Sequence, residues 1–311
     1  MQESLPGRRD RMTKVLRLDR SPEDSLRELL RFLLKKGRVK GVLALREMGE
    51  NGAISYSLIT DPDHIDSTVP LFPLMPVNLA KQLSRLTLME PAGEPVAVVL
   101  RPCELRAFVE LVKLKQGSLE NFLFISSTCG GVYPLEMAVT GDIRERLAQY
   151  WKAVEQGGVI PDMRSACKAC TYFVPYTADI TLSILGNREI GKQTVLFLNT
   201  DKAQGFVEGI PGQFSEEEPD SATLEEIRKA REAERQRLSD NVETKALGID
   251  DLTKTFSRCI DCHNCSKVCP ICYCHVCFFD SKDSEHGPVH YETTLDRDGS
   301  VNMLSDTTFY H

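Results

Sequence analysis

No apolar run in this sequence approaches the roughly 20 residues that a membrane-spanning helix needs. The first ten residues carry two arginines but no apolar stretch, so a secretory signal is not expected. No G-x-G-x-x-G follows a strand-like run, which removes the usual dinucleotide-binding fingerprint. Basic residues are not in surplus. Lys and Arg number 38 against 45 Asp and Glu, for a net charge of -7, and this argues against nucleic acid as the main partner. Internal repeats are absent. What is present is a 311-residue chain, 41% hydrophobic, with length for two domains and apolar content for a buried core. It also has eleven cysteines. So many thiols without a secretory pattern point to a reducing, cytoplasmic setting.

Seven of those eleven fall between Cys259 and Cys277. Cys259, Cys262, Cys265 and Cys269, followed by Pro270, have the C-x2-C-x2-C-x3-C-P spacing of bacterial iron–sulfur ferredoxins. Two-residue gaps let three thiolates wrap one cubane, and the x3 step carries the fourth away, often to a neighbouring cluster. Cys272, Cys274 and Cys277 follow at once and supply further ligands, in a division the spacing leaves open. Zinc is the first rival, since C-x2-C pairs beside His263 and His275 suit it too. Disulfides rank last, because pairs as close as Cys272 and Cys274 would close very tight loops.

Along the chain, residues 1–20 read as a polar arm. Ser21 then caps a helix with Pro22 in its first turn and a leucine stripe at 26, 29, 30, 33 and 34. Strands are expected at 41–45, 56–60, 95–100, 121–125, 179–185 and 194–198. Helices are expected at 77–86, 104–114, 135–156 and 201–208. Alternation of this kind means an α/β domain with a mixed or parallel sheet. Cys103 and Cys129 follow the strands at 95–100 and 121–125, at the carboxyl ends where such sheets place their sites. Residues 211–222 read as an acidic linker. The charged helix at 224–245 reads as solvated or docked, and residues 281–311 show no strong period. The division is therefore an α/β domain over 1–212 and, over 213–311, a charged helix with a small ferredoxin-like iron–sulfur module.

Taken alone, Cys103, Cys129, Cys167 and Cys170 would pass for small buried hydrophobes. In context they do not. Arg101-Pro-Cys103-Glu, Thr128-Cys129-Gly and Cys167-Lys-Ala-Cys170, with Ala178-Asp-Ile-Thr-Leu-Ser-Ile-Leu-Gly186 after them, together resemble the coenzyme F420 hydrogenase/dehydrogenase beta-subunit family. The resemblance covers roughly residues 24–210. It implies that these four cysteines hold one [4Fe–4S] cluster. It also makes FAD a candidate cofactor, with Asp179 and Gly186 as candidate contacts. The charged helix running into Cys259–Phe279 is similar to family members of the formate dehydrogenase type. Two departures bear on the flavin. Where flavin-binding members carry an early Gly-Gly pair this chain has Ser21-Pro22, and Pro22 has no N–H to donate. Ser183 replaces the first glycine of the later motif. Direct reaction with coenzyme F420 is therefore not expected.

The reading that follows is an electron-transfer subunit with two or more [4Fe–4S] clusters. Its partners are a catalytic oxidoreductase subunit and other electron-transfer subunits of a hetero-oligomeric complex. One rival is a flavoenzyme passing hydride between FAD and F420 or a nicotinamide. The other is a zinc-binding docking scaffold.

Overall fold

The computed structural model describes residues 13–49, 53–139, 146–157, 160, 162–187, 189–217, 221–243, 248–257, 259–260, 262, 264–273 and 288–299. Its elements run β1 (Thr13–Leu18), α1 (Pro22–Lys35), β2 (Gly41–Met48), β3 (Ala53–Ile59), α2 (Leu79–Thr87), β4 (Val96–Val99), α3 (Pro102–Lys113), β5 (Phe122–Ser127), α4 (Glu136–Val139), α5 (Leu147–Glu155) and α6 (Ser165–Lys168). They continue as β6 (Ile180–Ser183), β7 (Thr194–Leu198), α7 (Asp201–Phe206), β8 (Gln213–Glu217), α8 (Ser221–Glu243), α9 (Ile249–Phe256), α10 (Asn264–Val268) and α11 (Pro288–Asp298). No helix among the described residues is long and apolar enough to cross a membrane.

The strands form one mixed sheet in the order β3-β2-β4-β5-β6-β7-β1-β8. Its middle, β2-β4-β5-β6, is parallel, and antiparallel pairs close both ends. Successive side chains of a strand point to opposite faces, and the two cores follow that rule. Ala97, Val99, Leu123 and Ile125 join the α1 leucines on one face. Val98, Leu100, Phe122 and Phe124 join Leu79, Leu83, Leu105 and Phe108 of α2 and α3 on the other. Burial on both faces is why 95–100 and 121–125 read as unbroken apolar runs. Ser21 caps α1 as expected, its Oγ accepting from the Asp24 N–H at 3.3 Å.

Two segments differ from the sequence reading. The arm over 1–20 contains β1, which lies inside the sheet between β7 and β8, with Val15 and Leu16 wholly buried. The linker over 211–222 contains β8, paired with β1 from Thr13↔Glu217 to Arg17↔Gln213. β8 has no buried side chain and is held by backbone pairing, and in β1 Lys14 and Arg17 interrupt the buried Val15, Leu16 and Leu18, so composition hid both. The exposed, acidic β8 is a typical sheet edge, where charge discourages further pairing. Residues 288–298 also turn out helical.

Candidate metal centre and its setting

The site is built at the carboxyl end of the parallel strands. Cys103 lies in the first turn of α3, directly after β4. Cys129 follows β5, and its loop is fastened to the end of β6. There the Thr128 N–H donates to Leu182 O, and Thr128 Oγ1 accepts from the Ile184 and Leu185 N–H groups at 2.9 and 3.0 Å. Cys167 lies in the short α6 and Cys170 one turn later, its N–H donating to Cys167 O. The Cys129 N–H donates to Phe173 O at 2.8 Å, which joins the second loop to the third. Arg106 of α3 stacks over the Tyr172 ring at 4.0 Å, which joins the third to the first.

Gly131 permits the closest approach. Its φ is +109°, and a Cβ there would stand 3.1 Å from Cys167 Cβ and 2.6 Å from Met163 Sδ. Only glycine gives that backbone shape and that clearance together.

Electrostatics link three of the thiols. Cys103 keeps an exposed face, but protein atoms crowd its thiol. That burial, and then Cys129, push its pKa up. Burial likewise raises Cys129, while Arg101, Gly131 N–H and Arg231 pull it down and Cys167 pushes it up. Metal-binding thiols must be thiolates, and two cations stand where they favour that form. Burial opposes the charge on Arg101, while the Glu104 carboxylate and a Cys129 thiolate favour it. Arg231 donates to the carbonyls of Cys129, Gly130 and Cys170. Among the described residues no three His, Cys, Asp or Glu side chains converge as ligands of a single metal ion. A cubane takes its thiolates further apart than one ion does. The donor set, the glycine cradle and the flanking cations thus fit a cluster.

Arg231 was not singled out by the sequence. It lies among many charged residues of α8. The available signal was the stripe Thr223, Ile227, Arg231 at helical spacing of four. This stripe lies against Gly186, Gly157 and the cysteine loops, and Ile227 is buried. The helix is docked.

The candidate flavin contacts have other partners. Asp179 accepts from the Phe124 N–H and the Thr200 hydroxyl, both at 2.9 Å, and faces Lys202 at 3.5 Å. It ties β5, β6 and α7 together. Gly186, at φ +74°, seats α8, since a Cβ there would meet Thr223 Cγ2 at 2.5 Å. A pocket of about 20 Å³ opens among Leu26, Leu71, Arg101, Ser126, Cys129 and Tyr150. Ser126 Oγ lines it without a hydrogen-bond partner among the described residues. Such a volume holds about one water.

The C-terminal motif reaches the same region from the other face. Cys259, Cys262 and Cys265 are exposed, and Cys269 and Cys272 are half-buried. The Cys269 N–H donates to Cys265 O at 3.0 Å, and the Cys272 N–H to Cys269 O at 3.3 Å. Lys81 in the first turn of α2 donates to Ser266 O at 3.0 Å, and Tyr273 packs on the α2–α3 core. The Leu79 N–H that begins α2 donates to Glu104, the residue after Cys103. Cys274, Cys277, His263 and His275 lie outside the described residues.

No family model matches the chain. It is 25% identical over 290 residues to the F420-dependent formate dehydrogenase 1 subunit beta of Methanococcus maripaludis, covering 80% of this chain and 72% of that protein. It is 24% identical over 280 residues to the F420-dependent formate dehydrogenase subunit beta of Methanocaldococcus jannaschii, with the same coverage. A chain of the xenon-derivatised F420-reducing [NiFe] hydrogenase complex from Methanosarcina barkeri overlays with a TM-score of 0.48 at 14% identity, over 76% of this chain and 94% of that one. Along four-fifths of its length, then, this chain is similar to the beta subunits of F420-dependent formate dehydrogenases.

Proposed function

We propose that this protein is the iron–sulfur electron-transfer subunit of a hetero-oligomeric oxidoreductase, relaying electrons between a catalytic partner and an acceptor. One observation carries the reading. Cys103, Cys129 and Cys167, from three segments far apart in sequence, lie within one another's electrostatic reach at the carboxyl ends of β4 and β5, with Cys170 one turn after Cys167 and the half-buried Arg101 and buried Arg231 beside them. The similarity to formate dehydrogenase beta subunits supplies the setting of a catalytic partner. Cys103, Cys129, Cys167 and Cys170 would hold one [4Fe–4S] cluster. Cys259, Cys262 and Cys265 would hold another, with Cys269 going to that cluster or to a neighbour and Cys272, Cys274 and Cys277 as further ligands in a ferredoxin-like module. When bound, such a cluster takes up and releases one electron at a time.

The chain's own residues supply the rest. Arg101 and Arg231 offset the negative charge of the thiolates. Gly131 lets the Cys129 and Cys167 segments close on one another. The Lys81–Ser266 bond and Tyr273 hold the C-terminal motif against α2, within reach of the Cys103 segment. FAD stays a candidate cofactor of the relay, and its quantification separates electron transfer from hydride exchange with F420 or a nicotinamide.

The test is anaerobic purification with iron, sulfide, zinc and flavin quantified, alongside Cys170→Ala. The variant should lose one cluster's worth of iron and one reduced EPR signal. Unchanged iron and EPR in Cys170→Ala, or zinc without sulfide in the wild type, would overturn the reading. Stoichiometric FAD with rapid F420 turnover would replace it with the flavoenzyme.

A further inference from the structure

Arg231 is 7% exposed. A buried cation ordinarily sits against an anion, because leaving water is costly for an unpaired charge. Among the described residues its guanidinium meets no carboxylate. One nitrogen donates to Cys129 O at 3.0 Å and to Gly130 O at 3.4 Å, the other to Cys170 O at 3.3 Å. The group also lies over the Phe173 ring at 4.7 Å, and Phe173 O takes the Cys129 N–H. Arg101, the half-buried guanidinium near these loops, has the Glu104 carboxylate in its field. Among the described residues Arg231 has only carbonyl dipoles and an aromatic face, and every one of them belongs to a cysteine-bearing loop or its neighbour.

From this we infer that Arg231 is a positioning residue whose counter-ion is the thiolate-bound centre itself, clamping the Cys129 and Cys170 loops and raising the reduction potential of that centre. The inference rests on the relay reading above. The planar fork explains the clamp, because one guanidinium can bridge two separate strips of backbone and a lysine ammonium cannot do so in the same plane. The fixed charge explains the potential. Adding an electron would make the site more negative, and a desolvated cation held on the Cys129 and Cys170 loops would favour that reduced form. The placement on α8 has a further consequence. The same helix carries the chain to the C-terminal cysteine motif, so this contact couples the setting of the first centre to the segment that leads to the second.

The test uses the full-length chain purified anaerobically. The centre is identified as the EPR signal lost in Cys170→Ala and is followed by redox titration. Arg231→Gln removes the charge. Its one-electron reduction equilibrium should move about tenfold toward the oxidised form, or about 59 mV lower in potential. Arg231→Lys keeps the charge and loses the fork. It should titrate near the wild type but release iron to a chelator several-fold faster. Ile227→Ala loosens the helix without altering charge and should leave the potential of retained centres unchanged. A wild-type potential in Arg231→Gln overturns the inference. If that variant retains no iron, Arg231→Lys decides, and wild-type iron retention there overturns the clamp. If Cys170→Ala loses no iron, the relay reading fails and takes this inference with it, an outcome separable from an unmoved potential.

Discussion

Glu104 shows how one side chain sets the start of this site. It is wholly buried. One carboxylate oxygen accepts from the Leu79 N–H and the other from the Arg101 N–H, both at 2.9 Å, while the Tyr56 hydroxyl donates to the pair. Burial, and then the Glu104 charge, push the Tyr56 pKa up, so the phenol remains a donor. The carboxylate thereby joins the first turns of α2 and α3 and fixes the turn bearing Cys103. Glu104→Gln would place an amide NH2 against a backbone N–H, because both oxygens already take backbone donors. A hydrogen bond to a charged group is worth about 1.5–3 kcal/mol. The substitution should therefore cost about 2 kcal/mol, read as a fall of several degrees in the melting temperature. An unchanged melt would show that the carboxylate's charge is not needed. The sequence displayed Glu104 only as the letter after Cys103. Its role depends on Tyr56 and Leu79, which are brought to it by the sheet and by α2, and no local spacing encodes that meeting.

At the scale of elements, α8 differs most from its appearance in the sequence. Read as a charged helix, solvated or docked, it proves to be docked along Thr223, Ile227 and Arg231, with Arg228 adding a bond to the Tyr176 hydroxyl at 3.0 Å. Gly186 is its seat. Gly186→Ala brings a Cβ to 2.5 Å from Thr223 Cγ2 at a φ of +74°. The helix should lift, and limited proteolysis within 221–243 should quicken. Pairing it with Thr223→Ser removes the clashing methyl but leaves the backbone strain of about 1–2 kcal/mol, so protection should return in part. A single variant as protected as the wild type would remove the seat from the argument. The legible elements share a physical cause. α1 announced itself through its serine cap and leucine stripe, and β4 and β5 through apolar runs buried on both faces. β8 gave no such sign because an edge strand with exposed side chains needs no apolar residues, and β1 because Lys14 and Arg17 interrupt its buried Val15, Leu16 and Leu18. Of the site, only the strand-end placement of Cys103 and Cys129 was readable, and taken alone both passed for small buried hydrophobes. Their company with Cys167 and Cys170 came from resemblance, since spacing alone could not unite them. Arg231 and Gly131 needed the fold.

Across the whole molecule the cysteines fall into two groups that reach the α2–α3 region by different routes. The first group is assembled by the sheet. The second arrives after α8 and is held by the Lys81–Ser266 bond and by Tyr273 against the α2–α3 core. If the groups are independent centres in one relay, they should be separable by where the chain is cut. Deleting residues 250–311 removes all seven C-terminal cysteines yet keeps α8, with Ile227 and Arg231 in place. That protein should lose the iron of the C-terminal motif and retain one centre with its reduced EPR signal. Deleting residues 218–311 also takes away the helix. The Cys129 and Cys170 carbonyls then lose their guanidinium, and the surface beside Gly186 and Gly157 is uncovered. The remaining centre should then be lost to a chelator several-fold faster. Anaerobic iron counts on the two truncations check both steps. Loss of all iron on the shorter deletion would show that the first group cannot hold metal without the second. Equal iron retention in both truncations would show that α8, for all its contacts, does not guard the centre.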